Sequence, residues 1–416
     1  MPIRTYLNIY LHTYVNGDIT NAVSITGIIL CGIVIFAGIS ADAYERKTSW
    51  PQLQTSDNSS YTPSTLPEDI SIIWDAPFSG IARGGLVVAK EGAFVAGDSV
   101  VTCFDLHDGS VLWEHDVGAD VMNTPSVFVD HVFVGDNAGT LHCIDTRSGE
   151  QVWEERYTTD PGSYSDILIA DDSLFLCTHG TSSVVRIEPD NGDVIWRYDT
   201  TIQVLGYGKP ILHEGALYVT TVTDGVLCLD ADTGEELWHH VDPEQRLGNF
   251  TGCPVFAGGI LCAGTINDVF GITPTGDTAW KFDTQDKEYK TVSTHDDIIY
   301  FGIYNGEYAG DLFSLDAATG EILWQSALLY SSPSDFFETD RIISGIAPTV
   351  TPRSLLVSVR RKDGSGAIYI VDRGDGHIID IIEGLKGSIR EHIPVVDGRI
   401  YVSVCDGNNG HVYCLG

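Results

Sequence analysis

Short apolar runs recur along this chain, each closed by a polar turn ending in glycine and followed by a second, more amphipathic run. One copy reads Val226-Leu227-Cys228-Leu229-Asp230, then Ala231-Asp232-Thr233-Gly234, then Glu235-Glu236-Leu237-Trp238. Runs of this length between such turns predict strands joined by hairpins: Asp and Thr hydrogen-bond the turn backbone, and Gly tolerates positive φ. The unit occurs seven times, with its glycine at Gly109, Gly149, Gly192, Gly234, Gly276, Gly320 and Gly376. Four residues later stand Trp113, Trp153, Trp196, Trp238, Trp280 and Trp324; the seventh copy carries Asp380 instead.

Successive glycines lie 40, 43, 42, 42, 44 and 56 residues apart. That period suits four short antiparallel strands and their turns, which is one propeller blade. The ends complete the count. Ile70-Ser71-Ile72-Ile73-Trp74 reads as an outer strand lacking earlier partners, and Val412-Tyr413-Cys414-Leu415 as an inner strand with nothing after it. Pairing them makes an eighth blade and removes exposed sheet edges. The expectation is an all-β, eight-bladed β-propeller over residues 69–416, closed by its two terminal strands.

The segment Leu312 to Trp324, Leu-x-x-Leu-Asp-Ala-x-Thr-Gly-Glu-x-Leu-Trp, resembles the tryptophan docking repeat of pyrroloquinoline-quinone (PQQ) propellers. The resemblance covers about four fifths of the chain. It implies that each indole packs against the neighbouring blade, giving Trp74 and the six repeat tryptophans a structural role. In overall form the chain is also similar to the outer-membrane assembly propeller lipoprotein of bacteria.

The resemblance does not extend to chemistry. A PQQ dehydrogenase is expected to carry adjacent cysteines, calcium-binding carboxylates and a catalytic aspartate, and here no two of the nine cysteines adjoin. There is no Cys-x-x-Cys, Gly-x-Ser-x-Gly, phosphate loop or His-Glu-x-x-His, so no catalytic, cofactor or metal residue is assigned. Asp230-Ala231-Asp232-Thr233-Gly234 is a turn rather than a calcium loop: its glycine comes one place early and no terminal glutamate follows. Cys103, Cys143, Cys228 and Cys414 share one repeat position and so fall on different blades, too far apart for disulfides. Cys253 and Cys262 flank a turn and could face each other across a hairpin.

Residues 19–41 contain no charged side chain and are long enough to span a bilayer, with a short segment 1–18 before them and a Pro- and Ser-containing linker, 42–68, after. Their apolar run exceeds the usual signal-peptide core, which favours an uncleaved single-pass anchor; cleavage after Ala43 would instead give a secreted protein. Either way the propeller is expected outside the cytoplasm, although Arg46 and Lys47 follow the span and the positive-inside rule gives that orientation no support.

Function is expected to lie in binding. The long seventh repeat has its extra residues mostly between 327 and 345, and propeller connectivity places them on the same face as the hairpins at 304–308 and 360–364. Tyr304, Tyr308, Tyr330, Phe336, Phe337, Arg360, Arg361 and Lys362 are the candidate partner-binding residues, since aromatics beside guanidinium groups suit a protein-binding patch. Two alternatives stand beside this scaffold reading: a divergent redox enzyme using PQQ with calcium, and a small-molecule or carbohydrate sensor.

Charge narrows the partners. Fifty-eight acidic residues against 23 basic ones give a net charge of −35, which excludes nucleic acid. An acidic, lysine-poor composition resembles proteins of salt-loving cells such as halophilic archaea. Salt at molar strength shortens the screening length to roughly 3 Å and removes the self-repulsion of these carboxylates. The melting temperature is therefore expected to rise from low to molar salt in calorimetry; a flat or falling trend would contradict the halophilic reading.

Overall fold

The computed structural model describes residues 60–416 apart from 159–164, 179–181, 201–207, 222–224, 242–252, 266–267, 285–290, 306–307, 328–340, 343–346, 362, 390–391 and 408. Among them every regular element is a strand, and no helix is long and apolar enough to cross a membrane. The expected anchor at 19–41 lies outside the described residues.

The strands form eight separate antiparallel sheets. Blade 1 runs from the axis outwards as Val87–Ala89, Gly92–Gly97, Val100–Phe104 and Val111–Asp116. Blades 2 to 6 repeat that order over 126–156, 168–199, 211–241, 255–283 and 293–327. In blade 7 two short strands, Arg341–Ile342 and Thr349–Val350, share the inner edge of Ser354–Arg360, followed outwards by Gly366–Asp372 and Ile378–Leu385.

Blade 8 likewise has two inner pieces, Ser388–Ile389 and Val395–Val396, on Arg399–Asp406, and then Asn409–Leu415. Its outer strand is Ile72–Ser79, with Trp74 opposite Cys414 and Phe78 opposite Gly410. The ring thus closes between the chain's two ends. One detail differs from the sequence expectation: the carboxyl-terminal strand is third from the axis, not innermost. Every repeat glycine accordingly sits in the hairpin between third and fourth strands.

Burial explains the patterns. Second strands such as Gly92–Gly97 and Ser173–Thr178 are buried throughout, because a neighbouring blade covers each face, whereas outer strands alternate, as in Val111–Asp116. The core lies between blades: Phe94, Cys103 and Trp113 of blade 1 pack with Val132, Val134 and Ile144 of blade 2.

Each outer strand carries a bulge where two of its residues oppose one, so that Trp113 faces Cys103 while Val111 faces Phe104. The indole then lies over the next blade's hairpin. A β-carbon on Gly109, Gly149, Gly192, Gly234, Gly276, Gly320 or Gly376 would sit 2.5 to 3.0 Å from the ring of Trp74, Trp113, Trp153, Trp196, Trp238, Trp280 or Trp324 respectively. Each indole N–H also donates to a carbonyl of that hairpin: Trp113 to Thr146 at 2.9 Å, Trp238 to Pro274 at 2.8 Å, Trp324 to Arg373 at 3.0 Å. Asp380 has no such duty. Blade 8 takes its third and fourth strands from opposite chain ends and offers no hairpin to receive an indole.

Cys103, Cys143, Cys228 and Cys414 stand opposite Trp113, Trp153, Trp238 and Trp74, and are buried free thiols. Burial pushes the thiols of Cys103, Cys143 and Cys228 up to about 12. Cys253 and Cys262 do not form the disulfide that their spacing allowed. Cys262 faces Val255, and the Cys253 sulfur accepts the Lys209 amide at 3.2 Å.

The linker expectation also needs correction where it is described. Ser60, Thr62 and Ser64 are buried, and Leu66 and Ile70 pack on the apolar cluster shared by blades 7 and 8. Their polar side chains find partners far along the chain, as in Thr62 Oγ1 donating to the Val395 carbonyl at 2.9 Å.

Two alanine substitutions separate backbone strain from contact. Gly215 has φ +77° and a β-carbon added there would meet nothing within 4 Å, while one on Gly149, at φ +71°, would meet the Trp113 ring at 2.7 Å. Gly215→Ala is expected to cost about 1 kcal/mol from φ alone. Gly149→Ala should cost a further 1–3 kcal/mol or so from overpacking. Urea denaturation of the two variants checks the difference; equal losses would mean that the indole contact is slack.

Candidate functional site

In each blade the first strand runs from an upper face, where crossovers arrive from the preceding blade, to a lower face. The hairpins between second and third strands also lie on the upper face. The structure places Arg360 at the upper end of Ser354–Arg360, exposed, with Gly366 and Arg341 as register partners. The guanidinium of Arg361 pairs with Glu383, and its amide donates to Ser365 O at 2.8 Å. Asp363 holds this turn by accepting the Ser365 amide and hydroxyl, and those hydrogen bonds keep its carboxyl below the ordinary range.

Strand Arg341–Ile342 lies beside the blade 6 strands Ile298–Asn305 and Tyr308–Asp316. The hairpin flanked by Tyr304 and Tyr308 and the hairpin at 360–364 are therefore brought to either side of it. Tyr330, Phe336, Phe337 and Lys362 lie outside the described residues, as does everything but the backbone of Tyr304 and Tyr308.

A second polar group, which sequence reasoning missed, surrounds the axis where crossovers enter the first strands. Lys209, at 0% exposure, precedes the inner strand of blade 4, Asp166 that of blade 3 and His392 that of blade 8. The Thr124 amide donates to Asp166 Oδ1 at 2.7 Å. Desolvation pushes the Asp166 carboxyl up to about 6 against the opposing pull of Thr124 and the Lys209 charge. Burial and the same Lys209 charge push His392 down to about 3, so its ring is neutral at pH 7. Ser60 Oγ lies 3.5 Å from His392 Nδ1. Thr124, Asp166 and Lys209 each stand two places before the first strand of their blade, which begins at Ser126, Leu168 and Ile211 respectively, and that shared polar place was the available signal.

The residues around the axis do not fit pyrroloquinoline quinone. All the described cysteines are separate free thiols, so no disulfide ring can cover a cofactor. The axis beside blades 7 and 8 is filled by the chain's own Ser60, Thr62 and Ser64, each at most 1% exposed. Asp372, Asp375 and His377 have metal-like spacing, but they lie in a lower-face hairpin, where the two carboxylates already accept the amides of Gly374 and His377.

Comparison with known proteins fits this geometry. A family model described as "Outer membrane protein assembly factor BamB" matches residues 97–326. The chain belongs to this family. The BamB of Shewanella oneidensis is 24% identical over 350 residues, covering 70% of this chain and 86% of the relative. The quinohemoprotein alcohol dehydrogenase ADH-IIG of Pseudomonas putida is also 24% identical, over 311 residues that make up 68% of this chain and 37% of that enzyme. Among solved structures, BamB from Moraxella catarrhalis superposes with TM-score 0.59 at 19% identity over 83% of this chain and 97% of its own. The quinohemoprotein alcohol dehydrogenase ADHIIG structure gives TM-score 0.70 at 13% identity, with 92% and 82% covered. At such identities the superpositions speak for the shared propeller fold alone.

The axial group makes stability depend on pH with a definite sign. His392 has a folded pKa of about 3 against 6.5 in a free chain, so between these values the unfolded state binds more protons and acidification removes stability. Asp166, raised from 3.8 to about 6, acts in the opposite sense over 3.8 to 6. His392→Gln is expected to lose less stability than the native chain between pH 7 and 4.5, and Asp166→Asn more. Denaturant titrations at the two pH values check this; parallel losses in all three proteins would refute it.

Proposed function

We propose that this protein is a non-catalytic, membrane-tethered propeller that binds a protein partner as a scaffold or assembly module on the extracytoplasmic side. The observation that carries the reading is the family match over residues 97–326, to a model described as "Outer membrane protein assembly factor BamB", together with axial residues that do not fit a quinone cofactor. The S. oneidensis relative is named as an assembly factor, and a propeller without a fitted cofactor site is suited to such a role. The uncharged run 19–41 supports the tether, and a net charge of −35 argues against nucleic acid.

The upper face of blades 6 and 7 is the proposed contact surface. Arg360 is exposed there, beside the Arg361–Glu383 pair. Tyr304, Tyr308, Tyr330, Phe336, Phe337 and Lys362 complete the proposed patch.

Replacing Arg360, Arg361 and Phe336 together with alanine is expected to weaken capture of the native partner from high-salt membrane extracts by about tenfold, with little change in melting temperature. Undiminished capture would move the contact elsewhere. The same native protein incubated with PQQ and calcium should reduce no dye with alcohols or aldose sugars; turnover there would replace this reading with the redox one.

A further inference from the structure

The innermost strand of a propeller blade pairs on one side only, leaving main-chain groups along its other edge facing the axis. In blade 7 that edge is not left open. Val350 N donates to Ser60 O at 2.9 Å, and Thr62 N donates to Val350 O at 2.8 Å, so that Tyr61 forms a parallel bridge with Val350. On the opposite side Thr349–Val350 pairs antiparallel with Leu355 and Leu356 of the second strand.

The same three residues reach both neighbouring blades. Thr62 Oγ1 donates to Val395 O in blade 8, and Ser60 Oγ lies beside His392. The Tyr61 ring stacks on His295, at the end of the blade 6 inner strand, with centroids 3.5 Å apart and planes 3° apart. Ser60 and Thr62 are both wholly buried. Because the pairing is parallel to a strand descending from the upper face, the chain also descends here. It leaves near the lower-face turn at Gly398, where an added β-carbon would lie 3.6 Å from Thr65 O.

We propose that the axial edge of blade 7 is a strand-accepting site, filled in this chain by its own residues 60–62, which latch blades 6, 7 and 8 together from inside. Its ligand class is an extended peptide with a small hydroxyl residue, an aromatic and a second hydroxyl residue in succession. The main chain supplies the pairing, His295 takes the aromatic ring, and His392 and the Val395 carbonyl take the hydroxyls. This is strand addition to a sheet edge, made within one molecule. It stands independently of the partner patch on the upper face.

Hydrogen exchange of the full chain tests the site directly, with a synthetic peptide of residues 59–65 as probe. The Thr62 and Val350 amides should be protected in the native chain, which should not bind the peptide. Thr62→Pro removes the donor to Val350, and Tyr61→Ala removes the stack while leaving the main chain intact. Each should speed Val350 exchange by about tenfold, the loss expected of one hydrogen bond. Each variant should also bind the peptide and regain protection on doing so. If Thr62→Pro does not fold, Tyr61→Ala carries the same readout. Unaltered Val350 exchange in the folded variants, or equal peptide binding by native and variant chains, would overturn the proposal.

Discussion

The structure depends on one contact repeated around the ring: an indole from one blade laid on a glycine hairpin of the next. A propeller has no continuous sheet, so each blade is fixed to its neighbour chiefly through side chains. The indole supplies apolar area, and its N–H donates to a main-chain carbonyl of the hairpin, worth about 0.5–1.5 kcal/mol at each place. The price is a residue without a β-carbon at positive φ directly beneath the ring, and the outer-strand bulge then sets the indole's direction. Turn, bulge and tryptophan are therefore one device. This is why their spacing is strict while strand sequences vary.

That strictness made the fold legible. Gly109 to Gly320 and the tryptophans four places on state the period, the blade and the count, because every copy must satisfy the same contact. Terminal closure was legible too, since Trp74 has the repeat tryptophan's surroundings without its glycine. Legibility failed where residues act over long sequence distances. Ser60, Tyr61 and Thr62 sit among prolines and serines and read as a tether. Their hydrogen-bond partners, Val350, His392 and Val395, lie about 290 to 330 residues away, and local composition carries no trace of them. Lys209 was passed over for a related reason: a lysine before a strand is ordinarily solvated, and only the converging crossovers take this one out of water.

Asp380 illustrates how a broken pattern can mislead. Read along the chain, loss of the tryptophan together with the longer spacing marks blade 7 as the place where function has displaced structure. Read around the ring, the loss follows from topology, because the blade ahead has no hairpin to receive an indole. The longer spacing survives as a reason to look at the upper face of blades 6 and 7. The missing tryptophan does not.

The seam then explains several irregularities at once. Without an indole between blades 7 and 8, other groups must hold that junction. The apolar cluster there is large, joining Ile382, Leu385, Ile389 and Ile393 to Val402, Val404 and Tyr413, with Leu66 and Ile70 packed against it from the amino-terminal segment. The inner edges of both blades are split into two pieces, lying along the second strands Ser354–Arg360 and Arg399–Asp406. Across the next junction Arg399 donates to the Leu106 carbonyl at 2.8 Å, sharing it with the Trp74 indole. Residues 60–62 add main-chain pairing at the axis on the same side of the ring. The chain thus reinforces from within the junction where its repeated contact is unavailable, using the segment that leads into its own closing strand.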